Sequence, residues 1–197
     1  MYKIALFASG SGTNVENIAN YFHQHSLVQV SLVLSNKKDA FVLERVKRLG
    51  IPSMVFNREQ FYQTSEIVNT LVEHEIDWVV LAGFLWLIPS ELIDAFPQRI
   101  INIHPALLPK YGGRGLYGNK VHQAVVAHRE TVSGITIHYV NEHYDTGNII
   151  FQAKVEVLPT DSPEDVARKV HQLEYEHFPK VIEKLVLGPY FRKPRGD

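Results

Sequence analysis

Asn102 and His104 stand two residues apart in Ile101-Asn102-Ile103-His104-Pro105. On a strand, that spacing turns both side chains to one face and Ile101 and Ile103 to the other. An amide donor beside an imidazole suits acyl transfer: the amide can hold a developing oxyanion while the imidazole moves protons. Two polar residues closing a strand is the plainer alternative, and spacing alone leaves it open. Asp145, within His143-Tyr144-Asp145-Thr146-Gly147, is the carboxylate such an imidazole could use. Beside His104 it would raise the imidazole pKa from about 6.5 by about 1–3 units and keep it protonated near neutrality. An Asp two residues before a glycine is also ordinary turn chemistry, and spacing does not bring it to His104.

A third feature is Gly10-Ser11-Gly12-Thr13-Asn14. Glycines there let backbone N–H groups approach a phosphate, and a helix start directs partial positive charge at it. A dinucleotide fingerprint needs a further glycine where Val15 stands, and no Walker lysine follows, so neither a dinucleotide site nor an ATPase loop is expected. A simple tight turn stays open.

The 10 histidines raise metal binding as a question. His171, Glu174 and His177 are spaced i, i+3, i+6, which sets the two histidines about 240° apart on a helix, on no common face. His104, His122, His138 and Asp145 could assemble a metal-hydrolase site, but hydrogen-bonding or core roles suit His122 and His138 better. No metal is expected.

Short apolar runs must position these groups. Lys3–Ala8, Val28–Leu34, Ser53–Phe56 and Trp78–Leu81 read as buried strands, and Val15–His25, Phe41–Leu49 and Glu66–His74 carry helical spacing, with Gly50 as a stop. This alternation predicts a parallel sheet with helices on both faces. Pro89 and Ser90 open a short helix, and Arg99–Ile103 is a fifth strand, so Asn102 and His104 lie at a strand's carboxyl end, where open α/β sheets bind ligands. Residues 104–119, with Pro105, Pro109 and four glycines, form a long loop of the kind that carries function. A non-catalytic nucleotide-binding module would leave that loop unexplained. A helix over Lys120–His128 and strands over Gly134–Val140 and Ile149–Val157 follow. Ser162-Pro163-Glu164-Asp165 caps a last helix running to about Leu187.

The 197 residues suit one domain, and 45% apolar content supplies a full core without a membrane-spanning run. Met1 runs directly into the first strand, so no export leader is expected. With no cysteine, disulfides and thiolate chemistry are excluded. A formal charge of −1 with interspersed signs argues against a nucleic-acid surface. Arg192, Lys193 and Arg195 form one basic cluster, read as a frayed terminus, with nucleic-acid contact as the lesser alternative.

The stretch Asn102-Ile103-His104-Pro105-Ala106-Leu107-Leu108-Pro109-Lys110-Tyr111 resembles the signature of the folate-dependent formyltransferases. Leu81-Ala82-Gly83-Phe84 and the Asp145-to-Gly147 segment resemble its accompanying segments, in the same order. The resemblance runs from Lys3 to about Val186 and is to members that formylate glycinamide ribonucleotide. It implies a single α/β domain over 1–187: an open sheet with a Rossmann-like parallel N-terminal half, further strands in the C-terminal half and a long C-terminal helix. A basic tail would occupy 188–197. It implies formyl transfer from 10-formyltetrahydrofolate, as co-substrate, to the amine of glycinamide ribonucleotide in purine biosynthesis, without a metal. Asn102 and protonated His104 would stabilise the tetrahedral oxyanion, and Asp145 would keep His104 charged. Gly12, Thr13 and Asn14 would hold the substrate phosphate, Glu174 the ribose hydroxyls, and Gly83 and Pro105 would also face the substrate. Leu85, Trp86, Leu87 and Ile88, with Asn102, Asn141, Glu142, His143 and Tyr144, would line the folate pocket. Trp86 stands where the family often carries a basic residue, and Gln60 where an Arg commonly meets the folate; Arg58 or Lys110 is left to replace them. Leu108–Pro109 is expected to be cis. A cytoplasmic monomer or homodimer without nucleic-acid or membrane partners is expected. Its length favours this branch over the initiator-tRNA formyltransferases and the formyltetrahydrofolate hydrolases, which carry added domains.

Overall fold

The computed structural model describes residues 1–188. The elements in chain order are β1 (Tyr2–Ala8), α1 (Thr13–Phe22), β2 (Val28–Ser35), α2 (Val42–Arg48), β3 (Ser53–Val55), α3 (Arg58–Tyr62), α4 (Glu66–Glu73) and β4 (Trp78–Leu81). Then come α5 (Ser90–Ala95), β5 (Ile100–His104), α6 (Asn119–Ala127), β6 (Val132–Tyr139), β7 (Ile149–Glu156) and α7 (Pro163–Val186). They build one seven-stranded sheet in the order β3-β2-β1-β4-β5-β6-β7. The pairings from β3 through β5 are parallel, and β5–β6 and β6–β7 are antiparallel.

Both faces of the sheet are covered, which is why its central strands read as continuous apolar runs. In β1, Ile4, Leu6 and Ala8 join one core with Ile18 and Phe22 of α1 and Phe178 and Ile182 of α7. Ala5 and Phe7 face the other core, with Phe61 of α3, Leu71 of α4 and Leu92 of α5. The strand order reverses at β1, flanked by β2 and β4, and a crevice opens there at the strands' carboxyl ends. Ser9 ties its two loops together: its N–H donates to the Gly83 carbonyl at 3.0 Å, and its Oγ accepts from Leu85 N–H at 3.0 Å.

The expected elements appear with ends shifted by a few residues. Helix α1 begins at Thr13 rather than Val15 because Gly12, at φ 74°, serves as its N-cap. Glycine is also required there by packing, since a Cβ would stand 2.4 Å from Val42 Cγ2. Helix α3 was not expected. Its start is a capping box: Gln60 N–H donates to Asn57 Oδ1 at 2.9 Å, and Asn57 N–H to Gln60 Oε1 at 2.8 Å. The box at Ser162 and Asp165 opens α7 as expected.

The long loop is pinned from beneath. Thr136 Oγ accepts from Leu108 N–H at 3.0 Å and donates to the Ala106 carbonyl at 2.7 Å. Leu108–Pro109 is cis, as expected. Among the described residues no helix is long and apolar enough to cross a membrane. The basic cluster Arg192, Lys193 and Arg195, with all of the expected tail beyond Gly188, lies outside the described residues.

Candidate active site

Strand β5 carries Asn102 and His104 on one face, with Ile101 and Ile103 in the core on the other. The antiparallel register sets His138 of β6 directly across from Asn102. Cross-strand partners stand close enough for side chains to bond, and Asn102 Nδ2 lies 3.1 Å from His138 Nε2. His138 Nδ1 is 2.8 Å from the Tyr139 carbonyl, which assigns the proton to Nδ1 and leaves Nε2 to accept from Asn102.

Asp145 sits in the β6–β7 connection at φ 56°, a left-handed conformation that Asp tolerates. Gly147 closes that connection; a Cβ there would lie 1.7 Å from the Tyr139 carbonyl oxygen. The turn aims the carboxylate inward. Its Oδ2 lies 3.5 Å from His104 Nδ1 and its Oδ1 3.5 Å from both His138 Nε2 and Asn102 Nδ2. Gly113 N–H donates to Oδ2 at 2.9 Å, tying the long loop to the same group.

His104 is 4% exposed, and its Nε2 donates to the Tyr111 carbonyl at 2.7 Å. That bond sets the tautomer: Nε2 carries the proton, and Nδ1, facing Asp145, is the nitrogen free to take one. Burial is the largest influence on the imidazole and pushes its pKa below 6.5; Asp145 and the Tyr111 carbonyl oppose it without reversing it. Asp145 thus acts on His104 in the expected sense, but burial is the larger influence and the net direction is down. Desolvation outweighs one carboxylate at 3.5 Å, and this favours the neutral ring at pH 7. For Asp145, burial acts upward, yet the carboxyl is held below its ordinary range, with the Gly113 N–H among the groups that favour its charged form.

These groups open on a cavity of about 690 Å³. Gly12, Thr13 and Asn14 line its far end, where the α1 N-terminus has no side-chain cap. Glu174 of α7 reaches the same end although it is only 4% exposed, and its Oε2 accepts from Asn14 Nδ2 at 2.9 Å and His171 Nδ1 at 2.8 Å. The bond from Glu174 raises the His171 pKa. Gly83 and Pro105 line the cavity, as do Leu85, Trp86, Leu87 and Ile88, and Asn141, His143 and Tyr144. Glu142 does not, because it faces solvent on the connection.

The expected basic contacts resolve unequally. Arg58 lines the cavity, its guanidinium 5.0 Å from the Trp86 ring and 5.9 Å from Tyr62. Lys110 pairs with Glu130 at 2.9 Å and is absent from the lining. Gln60 is spent on the α3 cap and on Glu66, to which it donates at 2.7 Å, and it does not line the cavity. Sequence reasoning left His138 and His171 out of the site. For His138 the alternation Gly134-Ile135-Thr136-Ile137-His138 marked the right face, but the register was needed to pair it with Asn102. His177 turns toward the Phe151 ring, 5.0 Å away, and joins no cluster with Glu174.

The family described as Formyl transferase matches residues 2–182. The chloroplastic phosphoribosylglycinamide formyltransferase of Arabidopsis thaliana is 45% identical over 186 residues, covering 91% of this chain and 64% of that protein. The chain likewise spans 60% of the length of the Vigna unguiculata relative. Phosphoribosylglycinamide formyltransferase of Haemophilus influenzae is 37% identical, covering 95% of this chain and 89% of that one. The crystal structure of phosphoribosylglycinamide formyltransferase from Bacillus halodurans superposes with a TM-score of 0.85 at 36% identity, over 96% of this chain and 100% of that one. Sequence and fold agree over nearly the whole length, and the chain belongs to the formyl transferase family.

Proposed function

We propose that this protein transfers the formyl group of 10-formyltetrahydrofolate to the amine of glycinamide ribonucleotide, a step of purine biosynthesis. The observation that carries the reading is the convergence of Asn102, the free Nδ1 of His104 and Asp145 on one cavity that also holds the uncapped α1 N-terminus and Glu174. A phosphate suits the helix start, ribose hydroxyls suit the buried carboxylate of Glu174, and the reacting amine then lies toward His104. The names of the relatives, phosphoribosylglycinamide formyltransferase, agree with the acceptor and with formyl transfer.

The neutral His104 has a specific use in this scheme. The substrate amine arrives largely as an ammonium ion, which cannot attack. Nδ1 of His104 takes one of its protons, giving a nucleophilic amine and an imidazolium beside Asp145. The amine attacks the formyl carbon, and the imidazolium with Asn102 Nδ2 stabilises the oxyanion. On collapse, the C–N10 bond of the folate breaks, the new amide loses its extra proton, and N10 gains one. Arg58 is the cation placed for the glutamate carboxylate of the folate, with Trp86 and Tyr62 as an aromatic surface beside it. The chain's cytoplasmic setting and its monomeric or dimeric state belong to the same proposal. A turnover assay with 10-formyltetrahydrofolate, run with and without glycinamide ribonucleotide, tests it. Formylated product only when both substrates are present supports transfer, and release of free formate without the amine would point to a hydrolase instead.

A further inference from the structure

His122 takes no part in the scheme above, yet it is built into the same cavity. It comes from α6, is 1% exposed and lines the cavity wall. Its Nδ1 is buried with no hydrogen-bond partner, and among the described residues no bond reaches its Nε2 either. A buried polar ring without a partner is costly, and one that faces a binding cavity has its partner in the ligand. The ring stands edge-on to His171, with centroids 6.3 Å apart, and feels the charges of Glu174 and His104.

Burial, with His171 adding to it, pushes the His122 pKa down to about 4, so the ring is neutral at pH 7 and carries one proton. Orphaned buried N–H groups are rarer than under-satisfied acceptors, which places the proton on Nε2, the nitrogen not shut away from the cavity. We propose that His122 is a substrate-binding residue that presents Nε2–H as an uncharged donor to a neutral oxygen in the ribosyl-amide middle of the amine substrate. This rests on the reading that the cavity takes a phosphoribosyl amine. The phosphate end is then accounted for by the α1 N-terminus and the amine end by His104 and Asp145. His122, within electrostatic reach of both Glu174 and His104, meets the uncharged part. A neutral donor suits a neutral oxygen, and a cationic ring there would repel the imidazolium that His104 must become.

Calorimetric titration of glycinamide ribonucleotide into wild type, His122→Leu and His122→Gln tests this. Loss of one neutral hydrogen bond should weaken binding by about five- to tenfold in His122→Leu, with folate affinity unchanged and Tm not lowered, since an orphaned buried nitrogen has been removed. His122→Gln, which keeps an amide donor, should recover part of the loss. Unchanged binding in His122→Leu overturns the assignment. So does an equal loss for both ligands with a lowered Tm, which marks a packing role. A folded wild type that does not bind glycinamide ribonucleotide overturns the functional reading and this inference with it.

Discussion

Nδ1 of His104 faces Asp145 Oδ2 at 3.5 Å while Nε2 of the same ring donates to the Tyr111 carbonyl at 2.7 Å. One nitrogen is committed to the backbone of the long loop and the other is left for the reaction. Asp145 does not set the charge of the ring alone; it lessens a downward shift caused by burial. Asp145→Asn removes that support while keeping the shape. The His104 pKa, already below 6.5, should fall further, and the imidazolium fraction at any given pH should fall with it. NMR titration of His104 in both proteins reads this directly, and an unchanged pKa would remove Asp145 from its electrostatic role.

Asn102→Ala and His104→Ala should each lower kcat by about 10²–10³ if each supplies oxyanion stabilisation. Thermal melts should stay near wild type, since both side chains sit at a strand end beside a cavity. Steady-state kinetics with a parallel melt decides. Near-normal kcat in a folded variant would reject that residue's role.

The face shared by these two residues was legible in the alternation of Ile101-Asn102-Ile103-His104, and the sheet in the strand–helix rhythm before it. What lay outside the sequence were relations set by tertiary structure. The β5–β6 register opposes His138 to Asn102, the loop brings the Tyr111 carbonyl to His104, and burial decides the direction of the His104 shift. The α3 capping box had a local signal in Asn57-Arg58-Glu59-Gln60 that the sequence reading did not use, and it holds the Gln60 side chain at the helix start. The buried pairing of Asn14 with Glu174, 160 positions apart, had no local signal.

Arg58→Ala should raise KM for the folate by about tenfold or less, as expected for a partly solvated cation meeting a carboxylate, and leave KM for glycinamide ribonucleotide unchanged. Lys110→Ala should leave both values near wild type, because Lys110 is 69% exposed and pairs with Glu130 outside the cavity. The two variants assayed side by side separate the candidates. A folate defect in Lys110→Ala and none in Arg58→Ala would reverse the assignment.

Gly12→Ala tests packing more than phosphate approach. The position has φ 74°, and its Cβ would lie 2.8 Å from the backbone Cα of Val42, which cannot rotate away. Strain and overpacking together should cost about 2–4 kcal/mol. Urea denaturation measures it, and a variant as stable as wild type would show that α2 yields freely at this contact.

His122 should leave a mark on stability as pH falls. Its pKa drops from 6.5 to about 4 on folding, so within that window the unfolded chain binds more protons than the folded one. Stability therefore rises with pH there: the contribution of the neutral buried ring is fully present above 6.5 and is lost as pH falls toward about 4. His104, also held below 6.5, adds a decline of the same sign. His171 acts in the opposite sense, because the bond to Glu174 raises its pKa and favours its charged form in the folded state. His122→Leu deletes only the first contribution. Urea midpoints measured from pH 7 downward should fall less steeply in His122→Leu than in wild type, so the gap between the curves should widen toward the acid end. Parallel curves over the whole range would mean that His122 does not fold as a buried neutral ring.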